Sequence, residues 1–457
     1  MGSVFSRRRS IRAAVIALCA MLSPVIAYGA GYALLHATLL RSVPAANSRL
    51  SKPPETIRLV FSEQVVPELS QISLTAPDGK ATVLKVANDP HDVHVLVGRI
   101  GELVSGPYKV VWRVLSADGH PVSGSFAFTL KTGNPAKLTP TSSSTGPASR
   151  DSGAADTLTA SSGTPSTTDT KPIPVLASVL RGTGLGALMA GLGLLFFGVT
   201  AGESRKLAPK ALIVRLIALG AILLVAHLIA WLYSISPTPG LSSDFVASVV
   251  GSTVGRVEIL RVALALLTFL AIALTRREIP ALILGAACLL VSGGVGHPAA
   301  IHPYVSVPAK MAHLLSASLW LGGLLWLMWL ARCDDSACRR EAGRVSSVAL
   351  ITVIAIFLTG SLETILFLNS PGDLIHSPYG KLVLAKFVGL VILVGYGAYN
   401  RLRLLPRLED PGTTTRLSRS VKQELVVVTF VILIGGFLAY VPTPPAPQSS
   451  LSALIGR

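Results

Sequence analysis

From residue 174 onward the chain consists of long apolar runs separated by short polar segments. Each run approaches the roughly 20 residues that an α-helix needs to cross a lipid bilayer. The runs cover residues 174–200, 211–235, 255–275, 279–296, 307–330, 346–368, 381–400 and 421–441. We therefore predict an all-α polytopic bundle of about eight transmembrane helices in this part of the chain.

The region before this bundle has a different pattern. Between residues 36 and 131 the apolar residues occur in short runs, rich in Val, Ile, Leu and aromatics, with turn signals such as Asp78-Gly79 between them. The predicted strands cover residues 56–62, 71–76, 81–86, 92–97, 108–115 and 123–130. Many short strands at this spacing are typical of an all-β Greek-key or immunoglobulin-like sandwich, which we predict here.

Two further segments flank the β-rich region. In residues 1–35 four arginines precede an apolar run, which is typical of a secretory signal peptide. Residues 132–172 are rich in Ser, Thr, Gly, Ala and Pro and have almost no large apolar residues, which predicts a disordered linker. The predicted organisation is a signal peptide (1–35), a β domain (36–131), a linker (132–172), a transmembrane domain (173–441) and a short extracytoplasmic tail (442–457).

The composition supports a multi-domain membrane protein. Hydrophobic residues make up 51% of the 457 residues and charged residues only 14%, which excludes a single soluble domain. The formal net charge of +17 does not indicate nucleic-acid binding, because Lys and Arg form no patch with interleaved aromatic residues. We therefore predict the lipid bilayer, and no nucleic acid, as a partner.

The basic residues also predict the topology. The loops after the first, third, fifth and seventh predicted spans hold most of the Lys and Arg, and the loops between them hold almost none. By the positive-inside rule the basic loops face the cytoplasm. We therefore predict a multi-pass membrane protein, with the β domain and the C-terminus on the extracytoplasmic side.

A polar corner in the β domain has the residues of a metal site. Asp118-Gly119-His120 joins two predicted strands, and Pro121 biases His120 toward extended backbone. In extended backbone residues two apart point to one side, so Asp118 and His120 can offer a carboxylate and an imidazole to one point. This donor set suits Cu(II) or Zn. An ordinary polar loop tip is the alternative, but His36, near the expected mature N-terminus, favours a metal site.

Histidines also occur in and beside the predicted spans. His227 and His313 each lie about two turns from the outer end of their spans, and His297 lies beside an outer loop, so the three can converge at similar depth. Together with Met311 they form a candidate copper path, because imidazole and thioether ligands suit Cu(I). For each histidine, a single hydrogen bond between helices is the alternative.

Two opposite charges lie within the sixth and seventh predicted spans. Intramembrane ionisable residues are functional candidates by default, and these are Glu363 and Lys386. They either pair, with one another or with the backbone, or take part in proton or ion coupling.

These motifs resemble known families. Residues 36–131 resemble the periplasmic copper-resistance protein CopC, and the membrane half resembles CopD. The residues that carry the likeness to CopC are His36-Ala37, Val43-Pro44-Ala45, Leu59–Glu63 and Val111–Gly124. Those that carry the likeness to CopD are Gly296–Ala300, Ser318–Leu324, Tyr379–Lys386 and Arg419–Leu425.

The resemblance implies a single Cu(II) site in the β domain. In CopC the mature N-terminal histidine gives its amine and imidazole, which here is His36. Asp118 and His120 would complete the site, and Glu63 would lie just behind these ligands. Such nitrogen-rich ligand sets suit tetragonal Cu(II).

The resemblance also implies a function. We expect a copper-homeostasis or copper-resistance protein of the bacterial cell membrane, not an enzyme, with its β domain and C-terminus on the periplasmic side. We expect it to capture Cu(II) outside the membrane and to pass or import copper through the bundle. Cu(I) in the membrane domain and a cytosolic copper acceptor are further expectations. One alternative is a membrane redox protein, with haem b or cupric reductase-like, because paired intramembrane histidines can ligate haem. Another is a copper sensor or scaffold with the bundle as its anchor.

Overall fold

The computed structural model describes residues 39–62, 64–116, 121–131, 175–236, 240–294, 303–441 and 443–444. They form two compact units, one of strands and one of helices. The predicted signal peptide, the predicted linker and most of the predicted tail lie outside the described residues. So do His36, Glu63, Asp118, His120 and His297.

The strands pack as a two-sheet sandwich. They are β1 Leu39–Val43, β2 Arg49–Leu50, β3 Thr56–Phe61, β4 Val65–Thr75, β5 Ala81–Leu84, β6 Val86–Asp89, β7 Asp92–Arg99, β8 Gly106–Ser116 and β9 Pro121–Leu130. One sheet has the order β1-β3-β7-β6 and the other the order β2-β9-β8-β4-β5. The core lies between the sheets, as in β3, where Ile57, Leu59 and Phe61 are buried and the residues between them are partly exposed. The predicted all-β fold is confirmed, and each predicted strand overlaps an observed one.

Strands β8 and β9 form a long antiparallel hairpin, in register from Gly106 opposite Leu130 to Leu115 opposite Pro121. Trp112 faces Gly124 across this hairpin. A Cβ atom on Gly124 would lie 2.5 Å from the Cζ2 atom of the Trp112 ring. The indole therefore lies flat over β9 because glycine leaves the space for it, and it is 1% exposed.

The second unit is helical. Its helices are α1 Val175–Thr200, α2 Lys210–Ile235, α3 Ser243–Gly251, α4 Thr253–Ala273, α5 Glu278–Gly293, α6 Pro303–Cys333, α7 Asp335–Phe367, α8 Asp373–His376, α9 Pro378–Tyr399 and α10 Thr413–Leu438. Every predicted apolar span overlaps one of these helices. In the part of the chain that the structure describes, 6 helices, α1, α2, α6, α7, α9 and α10, are long and apolar enough to cross a membrane.

The predicted count of eight spans is not confirmed, and two helices account for the difference. Helix α5 has only 16 residues. Helix α4 carries Arg256, Glu258 and Arg261 within its apolar sequence. The chain is a multi-pass membrane protein, and α4 and α5 are packed beside its six long apolar helices.

Helix α1 lies at the centre of the bundle and packs against α2, α6 and α10. Its most apolar segment is 78% buried. Gly193 of α1 and Gly322 of α6 bring the two backbones into contact, so that a Cβ atom on either would collide with the other helix. The hydroxyl of Ser318 donates to the Met189 carbonyl, 2.9 Å away, and fixes the same crossing.

Candidate functional site

The predicted Cu(II) ligands lie outside the described residues, but the strands that flank them are described. His36 precedes β1, Glu63 lies between β3 and β4, and Asp118 and His120 lie between β8 and β9. Within the described residues, no group of three or more His, Cys, Asp or Glu side chains is arranged to hold a metal ion.

The flanking strand ends are close to one another. Leu39 at the start of β1 pairs with Phe61 at the end of β3. The Phe61 ring meets the Trp112 ring of β8 edge to face, with centroids 5.2 Å apart. Leu115 and Pro121, beside the β8–β9 connection, face each other. The start of β1, the end of β3 and the adjoining ends of β8 and β9 are therefore at one end of the sandwich.

In the helical unit, His227 of α2 lies in a buried ionic cluster with two residues of α4. Its Nδ1 atom is 3.0 Å from the Ala177 carbonyl oxygen of α1, and its Nε2 atom is 3.6 Å from Oε2 of Glu258. Arg261 pairs with the same carboxylate oxygen. The side chains of His227 and Arg261 are 0% exposed and that of Glu258 is 2% exposed.

The geometry of this cluster defines what His227 can do. A carbonyl oxygen only accepts hydrogen bonds, so Nδ1 carries a hydrogen and Nε2 faces the carboxylate of Glu258. The carboxylate that faces Nε2 is already paired with the Arg261 guanidinium, so its charge is balanced without a bound cation. The cluster is therefore better suited to charge balance between α2 and α4 than to metal ligation.

Sequence reasoning missed Glu258 and Arg261. A signal for them was present, because two opposite charges three residues apart within one apolar span are costly to expose to lipid. They share one face of α4, and that face packs on α2.

A cavity of about 440 Å³ lies between α1, α6, α7, α9 and α10. Most of its wall is apolar. Its charged and histidine side chains are Arg181, Lys310, His313, Glu363 and Lys386. The cavity thus brings together three residues that the sequence singled out, His313, Glu363 and Lys386, and adds two cations that it did not.

The polar groups in the cavity have defined partners. Lys310 Nζ is 3.4 Å from Glu363 Oε2, whereas Oε1 of Glu363 is buried without a hydrogen-bond partner among the described residues. The Thr359 hydroxyl donates to the Ala355 carbonyl, and the same hydroxyl lies 2.9 Å from Nδ1 of His313. This contact holds the His313 ring of α6 against α7.

The remaining candidates of the predicted copper path are elsewhere. His227 does not line the cavity, and Met311 packs against Gly293 of α5. His297 lies outside the described residues. Within the described residues the structure thus does not gather the path into one cluster, and Glu363 pairs with Lys310 instead of Lys386.

Tyr440, just after α10, lies between the buried cluster and the cavity. The ring centroids of Tyr440 and His227 are 6.3 Å apart. The guanidinium carbon of Arg181 lies 6.0 Å from the Tyr440 ring centroid. Both polar regions therefore contact the end of α10.

Known proteins match both units of the chain. Residues 39–131 match the CopC domain, and residues 339–438 match copper resistance protein D. The copper transport protein CutJ of Bacillus subtilis (strain 168) is 25% identical over 442 residues, which cover 90% of this chain and 75% of CutJ.

Two further proteins are similar to the β domain alone. Copper resistance protein C of Xanthomonas campestris pv. juglandis is 34% identical over 130 residues, 27% of this chain and 97% of that protein. The crystal structure of CopC from Methylosinus trichosporium OB3b covers 22% of this chain and 100% of its own, at 30% identity and a TM-score of 0.21. With a CopC domain and a CopD region in one polypeptide, the chain belongs to the fused CopC–CopD copper-resistance family.

Proposed function

We propose that this protein captures Cu(II) outside the cell membrane with its CopC domain and passes or imports copper through its helical domain. The main support is the order of the two family matches and the length of the similarity to a copper transport protein. A CopC match and a CopD match follow each other in one chain, and a protein named as a copper transport protein is similar over 90% of it.

The capture site that we propose consists of His36, Asp118 and His120, with Glu63 beside them. Its support is the arrangement of the flanking strands, because three separate chain segments leave the sandwich at one end. Imidazole, amine and carboxylate donors together suit Cu(II). The basic loops favour an extracytoplasmic position for the β domain by the positive-inside rule.

Transfer to the membrane domain would use the linker 132–172. A tether of this kind raises the local concentration of bound copper near the bundle to roughly the millimolar range. Within the bundle, His313 offers an imidazole nitrogen to Cu(I), and Glu363 and Lys386 are the groups that we propose for ion coupling. A cytosolic acceptor would receive the copper.

Copper binding can be tested on the full-length mature chain that begins at His36. We expect one tight equivalent of Cu(II), with nitrogen hyperfine structure in its EPR spectrum, and its loss in His120→Ala. The matched control is His91→Ala, because His91 is an exposed histidine of the same domain. Weak binding that does not depend on His120 would contradict the proposed site.

Transport needs a separate measurement. Copper uptake into proteoliposomes should require the helical domain and should slow in His120→Ala at limiting copper. Cellular copper accumulation that is unchanged when residues 173–441 are deleted would favour the sensor or scaffold alternative. A haem Soret band in the purified protein would favour the redox alternative.

A further inference from the structure

The cavity in the helical unit has a polar end and an apolar body. Lys310 lies near the start of α6, Glu363 near the end of α7, and Lys386 in the first half of α9. The end of α7 and the start of α9 also meet through the rings of Phe367 and Tyr379, whose centroids are 6.4 Å apart. The charged groups therefore gather at one end of the bundle, and the rest of the cavity wall is mainly apolar.

This polar end carries an excess of positive charge. The cavity and the neighbouring buried cluster together hold four cationic side chains and two carboxylates. The cations are Arg181, Arg261, Lys310 and Lys386, and the carboxylates are Glu258 and Glu363. Within the described residues, Lys386 and Arg181 have no ion pair with a carboxylate. Unpaired charges are costly away from water, so this end of the cavity favours a ligand that carries an anionic group.

The shape and the surroundings indicate where the anion comes from. A volume of about 440 Å³ is within the range of small-ligand pockets, roughly 300–1,000 Å³. Helices α7 and α9 both line the cavity, yet they pack only marginally on each other. Their most apolar segments are only 22% and 11% buried, so both helices face lipid. A molecule of the bilayer can therefore reach the cavity between α7 and α9.

We propose that this cavity binds one anionic phospholipid. Its phosphate lies against Lys386 and Arg181, and one acyl chain fills the apolar part. The unpartnered Oε1 atom of Glu363 accepts a hydrogen bond from a hydroxyl of the headgroup. A phosphate diester with a hydroxyl-bearing headgroup, such as phosphatidylglycerol, meets all three requirements.

The test is lipid retention by the full-length protein, measured by native mass spectrometry after exchange into mixed micelles. Phosphatidylglycerol should be retained in preference to phosphatidylcholine, and Lys386→Met should lower this preference roughly tenfold, as expected for loss of one charge-assisted contact. Lys381→Met is the matched control, because Lys381 is exposed on the same helix and does not line the cavity. Equal retention of both lipids, or equal retention by Lys386→Met, would overturn the proposal.

A second variant covers the case that Lys386→Met fails to fold. Gly435 lines the cavity, and a Cβ atom built on it would lie 4.0 Å from Lys386 Nζ. Gly435→Leu should therefore fill the cavity, keep every charge and reduce lipid retention. Gly395→Leu, at an open position of α9, should retain the lipid. Competition by millimolar inorganic phosphate at the same site would indicate free phosphate as the ligand and would reject a lipid.

Discussion

Lys310 of α6 and Glu363 of α7 form an ion pair on the wall of the cavity, with Nζ 3.4 Å from Oε2. The two side chains are 26% and 10% exposed. Because the pair is largely shielded, loss of one partner leaves the other unpaired. We expect Glu363→Gln to lower the free energy of unfolding by about 2 kcal/mol, less than the roughly 3–5 kcal/mol of a fully buried pair.

Thermal unfolding in detergent measures this effect. The double variant Lys310→Met/Glu363→Gln should recover most of the lost stability, because it leaves no unpaired charge. Lys310→Met alone completes the cycle, and a loss in the double variant equal to the sum of the two single losses would show that the two residues do not interact.

The contact between Gly193 and Gly322 predicts a second effect. Gly193→Ala places a methyl group against the backbone of α6, which cannot move as a flexible side chain would. Overpacking typically costs about 1–3 kcal/mol, and we expect at least the upper end of this range here. Gly395→Ala is the control, because nothing lies within 4 Å of its Cβ position. Thermal unfolding should give a lower melting temperature for Gly193→Ala than for Gly395→Ala. Equal melting temperatures would refute the close contact between α1 and α6.

In the β domain, Gly124→Ala should disturb the Trp112 ring. A Cβ atom at Gly124 falls 2.5 Å from that ring, so the indole must move. We expect a loss of about 1–3 kcal/mol and weaker Cu(II) binding, because the same hairpin carries the 117–120 connection. Near-ultraviolet circular dichroism and copper titration measure the two effects. Gly101→Ala, whose Cβ position is open, should leave both unchanged.

Asp89 predicts a pH dependence of the β domain. Its pKa is lowered from 3.8, first by the hydrogen bond from the His91 backbone N–H and then by Arg58. A lowered pKa means that the ionised carboxylate stabilises the fold above pH 3.8, and that this contribution is lost as the pH falls through the lower folded-state value.

Asp89→Asn should therefore destabilise the domain at neutral pH and have little effect in strong acid. Denaturant titrations at several pH values measure the difference. Arg58→Met should keep part of the pH dependence, because the His91 N–H remains. A difference between Asp89→Asn and the parent that does not change with pH would contradict this assignment.

Sequence patterns missed β1, β2 and β6, which contain 5, 2 and 4 residues. Strands of this length hold few alternating positions, so their pattern is weak. The pairing of Arg49 with Thr129, for example, depends on a partner strand far along the chain.

The partner of Glu363 could not be predicted for a related reason. Both Lys310 and Lys386 are candidates in the sequence, and the choice depends on how the helices are rotated about their axes. In the sequence, Pro308 suggests that Lys310 lies in a loop before the helix. In the structure α6 begins at Pro303, so Pro308 and Lys310 are both within the helix. The predicted spans themselves followed directly from hydropathy, which does not depend on such rotations.

The position of Tyr440 links two parts of the bundle mechanically. Its ring is shared by Arg181, which lines the cavity, and His227, which is buried with Glu258. Both polar regions therefore share one aromatic ring as a packing partner. A substitution at Tyr440 would change the surroundings of the cavity and of the buried ionic cluster at the same time.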